Sequence, residues 1–196
     1  MKHNGFEYVD LGLPSGTKWA KCNVGAYSET DNGLYFPFGG IVGLDSQYYE
    51  GNFDSHKLKF NGDKKATLHL DNDAAHIHMG GKWHMPTKEQ FEELLDEKNT
   101  VSTWIYDYCI REVSGRLFRS RINNETLFIP ANGFISNHQY VQNGQTCSLW
   151  TSSIDFSSVY NCTDFFCDKY NTYLARTSAY YVCIGIRGVF NTFWIK

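Results

Sequence analysis

The clearest periodicity in the chain lies at Lys88-Glu89-Gln90-Phe91-Glu92-Glu93-Leu94-Leu95, where Phe91, Leu94 and Leu95 share one helical stripe. Thr87 stands at the N-cap and Gln90 three residues later, the spacing of a capping box, with acidic side chains near the positive end of the helix. Asp71 to His78 reads as a shorter helix with Asp71 as its N-cap. Elsewhere the pattern is that of strands. Glu7 to Ala26 gives strand, turn, strand, with Leu13-Pro14-Ser15-Gly16 supplying the turn. Asn32-Gly33 signals a tight turn before the aromatic run Leu34 to Phe38, and residues 39–70 have the weak periodicity of long loops. After Asn99, strands are expected at Thr103 to Arg111, Glu112 to Phe118, Thr126 to Pro130 and Ser148 to Ser153. A long last strand is expected from Tyr181 to Phe190, with Val182, Ile184, Ile186 and Gly188 on one side. Two helices amid many short strands and long loops predict an α+β domain without repeat or linker.

One tract departs from both the core and the solvent-face alphabet. Of the 29 residues from Asp155 to Cys183, 22 are Tyr, Phe, Ser, Thr, Asn, Asp or Cys, with one Lys, one Arg and no Glu, Gln, Met, Trp, Pro or Gly. Tyr mixed with short polar residues is the alphabet of antibody paratopes, where a two-χ aromatic gives contact area at small entropic cost. The tract therefore points to recognition rather than catalysis.

The totals narrow the classes. A chain of 196 residues suits a single domain, and a formal charge of −3 lacks the basic footprint of a nucleic-acid binder. No apolar run approaches the length of a membrane helix, and the opening Met1 to Gly5 lacks a signal peptide's apolar stretch. The six cysteines (22, 109, 147, 162, 167, 183) have no framework spacing and read as scattered free thiols.

Three blocks carry a resemblance. Tyr8-Val9-Asp10-Leu11-Gly12-Leu13-Pro14-Ser15-Gly16-Thr17-Lys18-Trp19-Ala20 continues through Cys22-Asn23-Val24-Gly25-Ala26. Asp73-Ala74-Ala75 is followed by Gly80-Gly81-Lys82-Trp83-His84-Met85-Pro86-Thr87-Lys88-Glu89-Gln90-Phe91. Phe128-Ile129-Pro130-Ala131-Asn132-Gly133, Leu149-Trp150-Thr151-Ser152-Ser153 and Ile186-Arg187-Gly188-Val189 close the chain. Together they resemble the Fibrobacter-type major paralogous domain, whose pattern has Pro where Gly188 stands. The resemblance implies a C-type-lectin-like fold related to formylglycine-generating enzymes, shared with the variable proteins of diversity-generating retroelements. In those proteins, adenine-directed mutagenesis rewrites C-terminal positions, typically at template Asn codons. Asn codons randomised at their first two bases cannot yield Lys, Glu, Gln, Met or Trp, and from 155 to 183 only Lys169 breaks that list.

The resulting expectation is a single domain over 1–196, with a scaffold at 1–154, a variable ligand-binding region at 155–183 and a closing strand at 184–196. The ligand-binding candidates are Phe156, Ser158, Tyr160, Asn161, Asp164, Phe166, Asp168, Tyr170, Asn171, Tyr173, Ser178, Tyr180 and Tyr181, whereas Phe165, Leu174 and Val182 read as core. The implied partner is a surface protein or glycan of another cell or virus, and the implied location is a virion or bacterial surface. Two rivals stay open: a non-diversified adhesin or structural domain of the same family, and a formylglycine-generating-like oxidase using C-terminal cysteines. No cofactor is expected. His76, His78 and His84 read as solvated or capping residues rather than metal ligands. The Glu-Pro-Asn and Gln-Pro-Asp motifs of calcium-dependent sugar binding do not occur.

Overall fold

The computed structural model describes residues 1–44, 67–154, 161–178 and 182–192, apart from the side chains of Asn161 and Ser178. Strands dominate it. They run β1 (Lys2–His3), β2 (Phe6–Val9), β3 (Thr17–Ala20), β4 (Tyr35–Phe36), β5 (Thr100–Ile105), β6 (Gly115–Ser120) and β7 (Thr126–Pro130). The series continues with β8 (Phe134–Ser136), β9 (Gln139–Val141), β10 (Cys147–Ile154), β11 (Asn161–Cys167), β12 (Thr172–Ser178), β13 (Val182–Gly185) and β14 (Val189–Asn191). The α-helices among the described residues are α1 (Ala74–Met79) and α2 (Lys88–Leu95).

This corrects the expected fold class. Strand makes up 42% of the described residues and helix 13%, so the chain is mostly β, with curled sheets, and not the α+β C-type-lectin-like fold. The physical reason is that the helices are short and most pairing is non-local. A four-stranded sheet runs β1-β2-β3-β14, joining the two ends of the chain, and a three-stranded sheet runs β5-β6-β7. The largest sheet has the order β12-β11-β10-β13-β8-β9, with β4 also on β13. Local periodicity carries none of these long-range ladders.

Both helices are set by their caps. Thr87 Oγ1 accepts from Gln90 N at 3.3 Å while Gln90 Oε1 accepts from Thr87 N at 2.9 Å, closing the expected capping box. The first helix starts at Asp73 rather than Asp71. The buried Asp73 carboxylate accepts from His76 N and Met85 N, both at 2.8 Å, so it caps α1 and ties the following loop to it. Residues 70–72 form a separate 3-10 turn with His69 at its N-cap.

Two apolar clusters fill the interior. One gathers Trp83, Trp150, Phe36, Phe38 and Ile184 beneath α1, and the other gathers Trp19, Phe91, Leu149, Phe165 and Phe118 beneath α2. The last expected strand is interrupted, because Arg187 turns fully inward between β13 and β14. Its guanidinium donates to Asn23 Oδ1 at 2.8 Å, to the carbonyls of Ala20 and Phe128 at 3.1 Å each, and to Lys21 O. Burial holds its pKa down to about 10. Gly188 follows because there is no room for more, since an added Cβ would lie 2.6 Å from Met79 Sδ.

Candidate recognition site

Most of the tract's described part is a hairpin made by β11 and β12, paired from Asn161↔Ser178 to Cys167↔Thr172, and its last two residues open β13. Period-two alternation gives β11 two faces. Phe165 and Cys167 point into the α2-side core, and Cys162 into the other. The expected core residues Phe165, Leu174 and Val182 all pack against these clusters.

Asp168-Lys169-Tyr170-Asn171 turns the chain at the free end of the hairpin. Neither Lys169 nor Tyr170 adopts a positive φ, so the turn is not the mirror-image type that two-residue hairpins favour. The Asp168 side chain supplies the hold instead. Its Oδ1 accepts from Tyr170 N and Asn171 N, both at 2.7 Å, an Asx-type arrangement. Desolvation opposes ionisation, but these N–H donors more than offset it, and the carboxyl lies below its usual value.

Arg116, on β6, braces the turn from below. The side chain is nearly buried, donates to the carbonyls of Asp168 and Asn171, and lies 5.7 Å from the ring centroid of its cross-strand neighbour Trp104. A guanidinium fork suits two carbonyls and an aromatic face together. The turn therefore presents its side chains from a fixed backbone.

What it presents is aromatic. Tyr170 is 78% exposed, with the Lys169 ammonium 4.5 Å from its ring centroid. Tyr173 is 48% exposed and leans on its cross-strand partner Phe166, ring centroids 5.2 Å apart. Beside the turn, the β5–β6 loop adds Tyr106, 66% exposed and near enough to act on the Lys169 charge, and the same loop carries Ile110, 94% exposed, further along. Cys109, Ile110 and Glu112 all take positive φ in that loop. For a β-branched residue such as Ile110 this is a strained conformation, of the kind that clusters at functional surfaces.

The predicted site residues thus divide. Tyr170, Asn171 and Tyr173 are exposed at the hairpin end, while Phe166 and Asp168 are half-buried supports. Asp164 is a correction, since it is 2% exposed and cannot face a ligand from the surface. It shares a face with Cys162, and its Oδ1 has no hydrogen-bond partner among the described residues. Burial raises its pKa to about 6, against a hydrogen bond from Thr177 that lowers it. Asn161 and Ser178 pair with each other as the far ends of β11 and β12. Phe156, Ser158, Tyr160, Tyr180 and Tyr181 lie outside the described residues.

Sequence reasoning missed Tyr106, Trp104 and Arg116. The first could have been found, because Tyr106-Asp107-Tyr108 repeats the alphabet of the C-terminal tract. The histidines bind backbone, His76 to Trp83 O, His78 to Ile41 O and His84 to Met85 O. Among the described residues no three His, Cys, Asp or Glu side chains converge as metal ligands. A cleft of about 360 Å³ opens between β5 and the start of β12, lined by Thr100, Ser102, Arg121 and Thr172 among others.

No family model, curated protein or solved structure matches the chain.

Proposed function

We propose that this chain is a ligand-recognition protein, the variable protein of a diversity-generating retroelement. In this reading it binds a surface protein or glycan through the aromatic end of the β11–β12 hairpin. The observation that supports it is the coincidence of two independent features. The codon-restricted, Tyr-rich alphabet runs through residues 155–183, and within that tract Tyr170 and Tyr173 project from a turn pinned by Asp168 and Arg116. A pinned turn loses little entropy on binding, and exposed phenol rings supply anchoring area.

Binding is non-covalent. Tyr170, Tyr173 and Tyr106 exclude water over the partner, and Lys169 and Asn171 set polar specificity at its edge. The test is to sequence the gene from independent isolates and search beside it for a reverse transcriptase gene and a near-copy template repeat. Differences concentrated between 155 and 183, with such a repeat, support the reading. An invariant tract with no repeat overturns it in favour of a non-diversified adhesin.

A further inference from the structure

We propose that Cys147 and Cys167 form an oxidisable dithiol, a modification site at which a hydroperoxide converts two thiols into a disulfide that staples the turn end of the hairpin to β10. The inference stands apart from the recognition reading and rests on the strand register. Cys147 and Cys167 are direct partners across the antiparallel β10–β11 ladder. Residues so placed have Cα atoms roughly 4.5–5.5 Å apart, inside the span a disulfide bridges. Both side chains are fully buried in the same cluster, where the Cys147 thiol donates to Ile129 O at 3.3 Å. The other cysteines have no such partner. Cys162 pairs with Ile154 and Thr177, Cys183 pairs with Ile135, and Cys22 and Cys109 lie outside the strands.

The surroundings divide the roles. Burial opposes ionisation of Cys167, but the neighbouring Cys147 and the Arg116 guanidinium more than offset it, and the thiol lies below its usual value. Burial, reinforced by Cys167, keeps Cys147 well above its own. Cys167, next to the hairpin turn and beside Arg116, is the attacking sulfur, and Cys147, deeper at the start of β10, is the resolving one. The Cys167 thiolate attacks the O–O bond and takes one oxygen as a sulfenic acid. The hydroxide or alkoxide released collects the proton that Cys167 gave up. The Cys147 sulfur then attacks Cys167 Sγ, the S–O bond breaks, and hydroxide leaves with the Cys147 proton as water. Two electrons pass from the thiol pair to the peroxide. Both sulfurs are fully buried, so the reaction requires the packing around them to open.

The full chain is treated with hydrogen peroxide while folded, its remaining thiols are alkylated after unfolding, and peptides are mapped without reduction. The expected result is a Cys147–Cys167 cross-linked peptide, the loss of both thiols at those positions, and a raised melting temperature that a dithiol reductant reverses. Arg116→Gln slows the cross-linking. The inference is overturned if both cysteines are still alkylated, or if Cys167 reaches the sulfinic acid with no cross-link. A cross-link formed as fast in urea-unfolded chain as in folded chain also overturns it, because register then plays no part.

Discussion

Asp164 is the residue whose replacement tests the packing of the hairpin most directly. Its carboxyl is buried, hydrogen-bonded by Thr177 on one side and lacking a described partner at Oδ1, and its pKa rises from an ordinary 3.8 to about 6. A carboxyl with a raised folded pKa is protonated in the folded chain when the unfolded chain has already ionised. Stability from this group is therefore full below pH 4, falls as pH climbs through about 6, and is flat above. At 1.36 kcal/mol per pH unit, the penalty above pH 6 is about 3 kcal/mol. Asp164→Asn removes the charge while keeping the shape. The new amide leaves an N–H unsatisfied at a cost of roughly 1–3 kcal/mol, but that cost does not depend on pH. The difference in unfolding free energy between variant and wild type, from urea titrations at pH 4, 5, 6 and 7, is thus expected to swing by about 2 kcal/mol toward the variant, because part of the change is already complete at pH 4. Taking the difference cancels carboxylates of opposite sign, such as Asp10 and Asp168, which lie below their usual values. A difference that stays constant from pH 4 to 7 refutes the reasoning.

Two further substitutions test the frame. Thr87→Ala removes one half of the capping box of α2 and is expected to cost about 1 kcal/mol, read as a lowered denaturant midpoint with an unchanged slope. Arg187→Met removes the donor to Asn23 Oδ1 and to the carbonyls of Ala20, Lys21 and Phe128, at a cost of roughly 3 kcal/mol or more. Arg187→Lys is expected to recover little, because a single ammonium cannot reach β3, the segment after it and β7 together as the guanidinium fork does.

The sequence made some elements legible because their determinants are local. Helix α2 carries its own cap, and β7, Thr126–Pro130, is a short apolar run ended by Pro, found with the bounds expected. The misreadings have non-local causes. Asp71 and Asp73 are equivalent as caps on pattern alone, and only the approach of Met85 N to the Asp73 carboxylate decides between them. Alternation continues through Ile186 and Gly188, yet the ladder breaks there because Arg187 is drawn inward by carbonyls from distant strands. The expected strands 103–111 and 112–118 are observed as Thr100–Ile105 and Gly115–Ser120, separated by a loop of left-handed residues that no Gly or Asn announces. The site was legible as composition, in Tyr170 and Tyr173, but not as geometry. Arg116 lies over fifty residues away from the turn it braces, and Asp164 carries a surface alphabet into a buried position.

That division sets a limit on any diversification of the tract. Randomised codons act on consecutive residues, whereas the hairpin alternates between tolerant and intolerant positions. Phe165 is fully buried and stacks on Phe91, ring centroids 4.9 Å apart and nearly parallel. Truncating such a ring costs roughly 3–5 kcal/mol, a large part of the 5–15 kcal/mol that holds a typical domain together. Exposed Tyr170 and Asn171 change at costs within about 0.5 kcal/mol. Asp168 is intermediate, since only a short acceptor side chain, Asp, Asn or Ser, can hold the two N–H groups of the turn. Functional isolates are therefore expected to differ at 170, 171 and 173, to keep Phe165, and to interchange only short acceptors at 168. Deep sequencing of a library randomised across 161–178 and selected for folded, protease-resistant chains reads this directly. Free substitution at Phe165 with retained folding contradicts it, because the hairpin would then not rest on the α2-side core that fixes the direction of its turn.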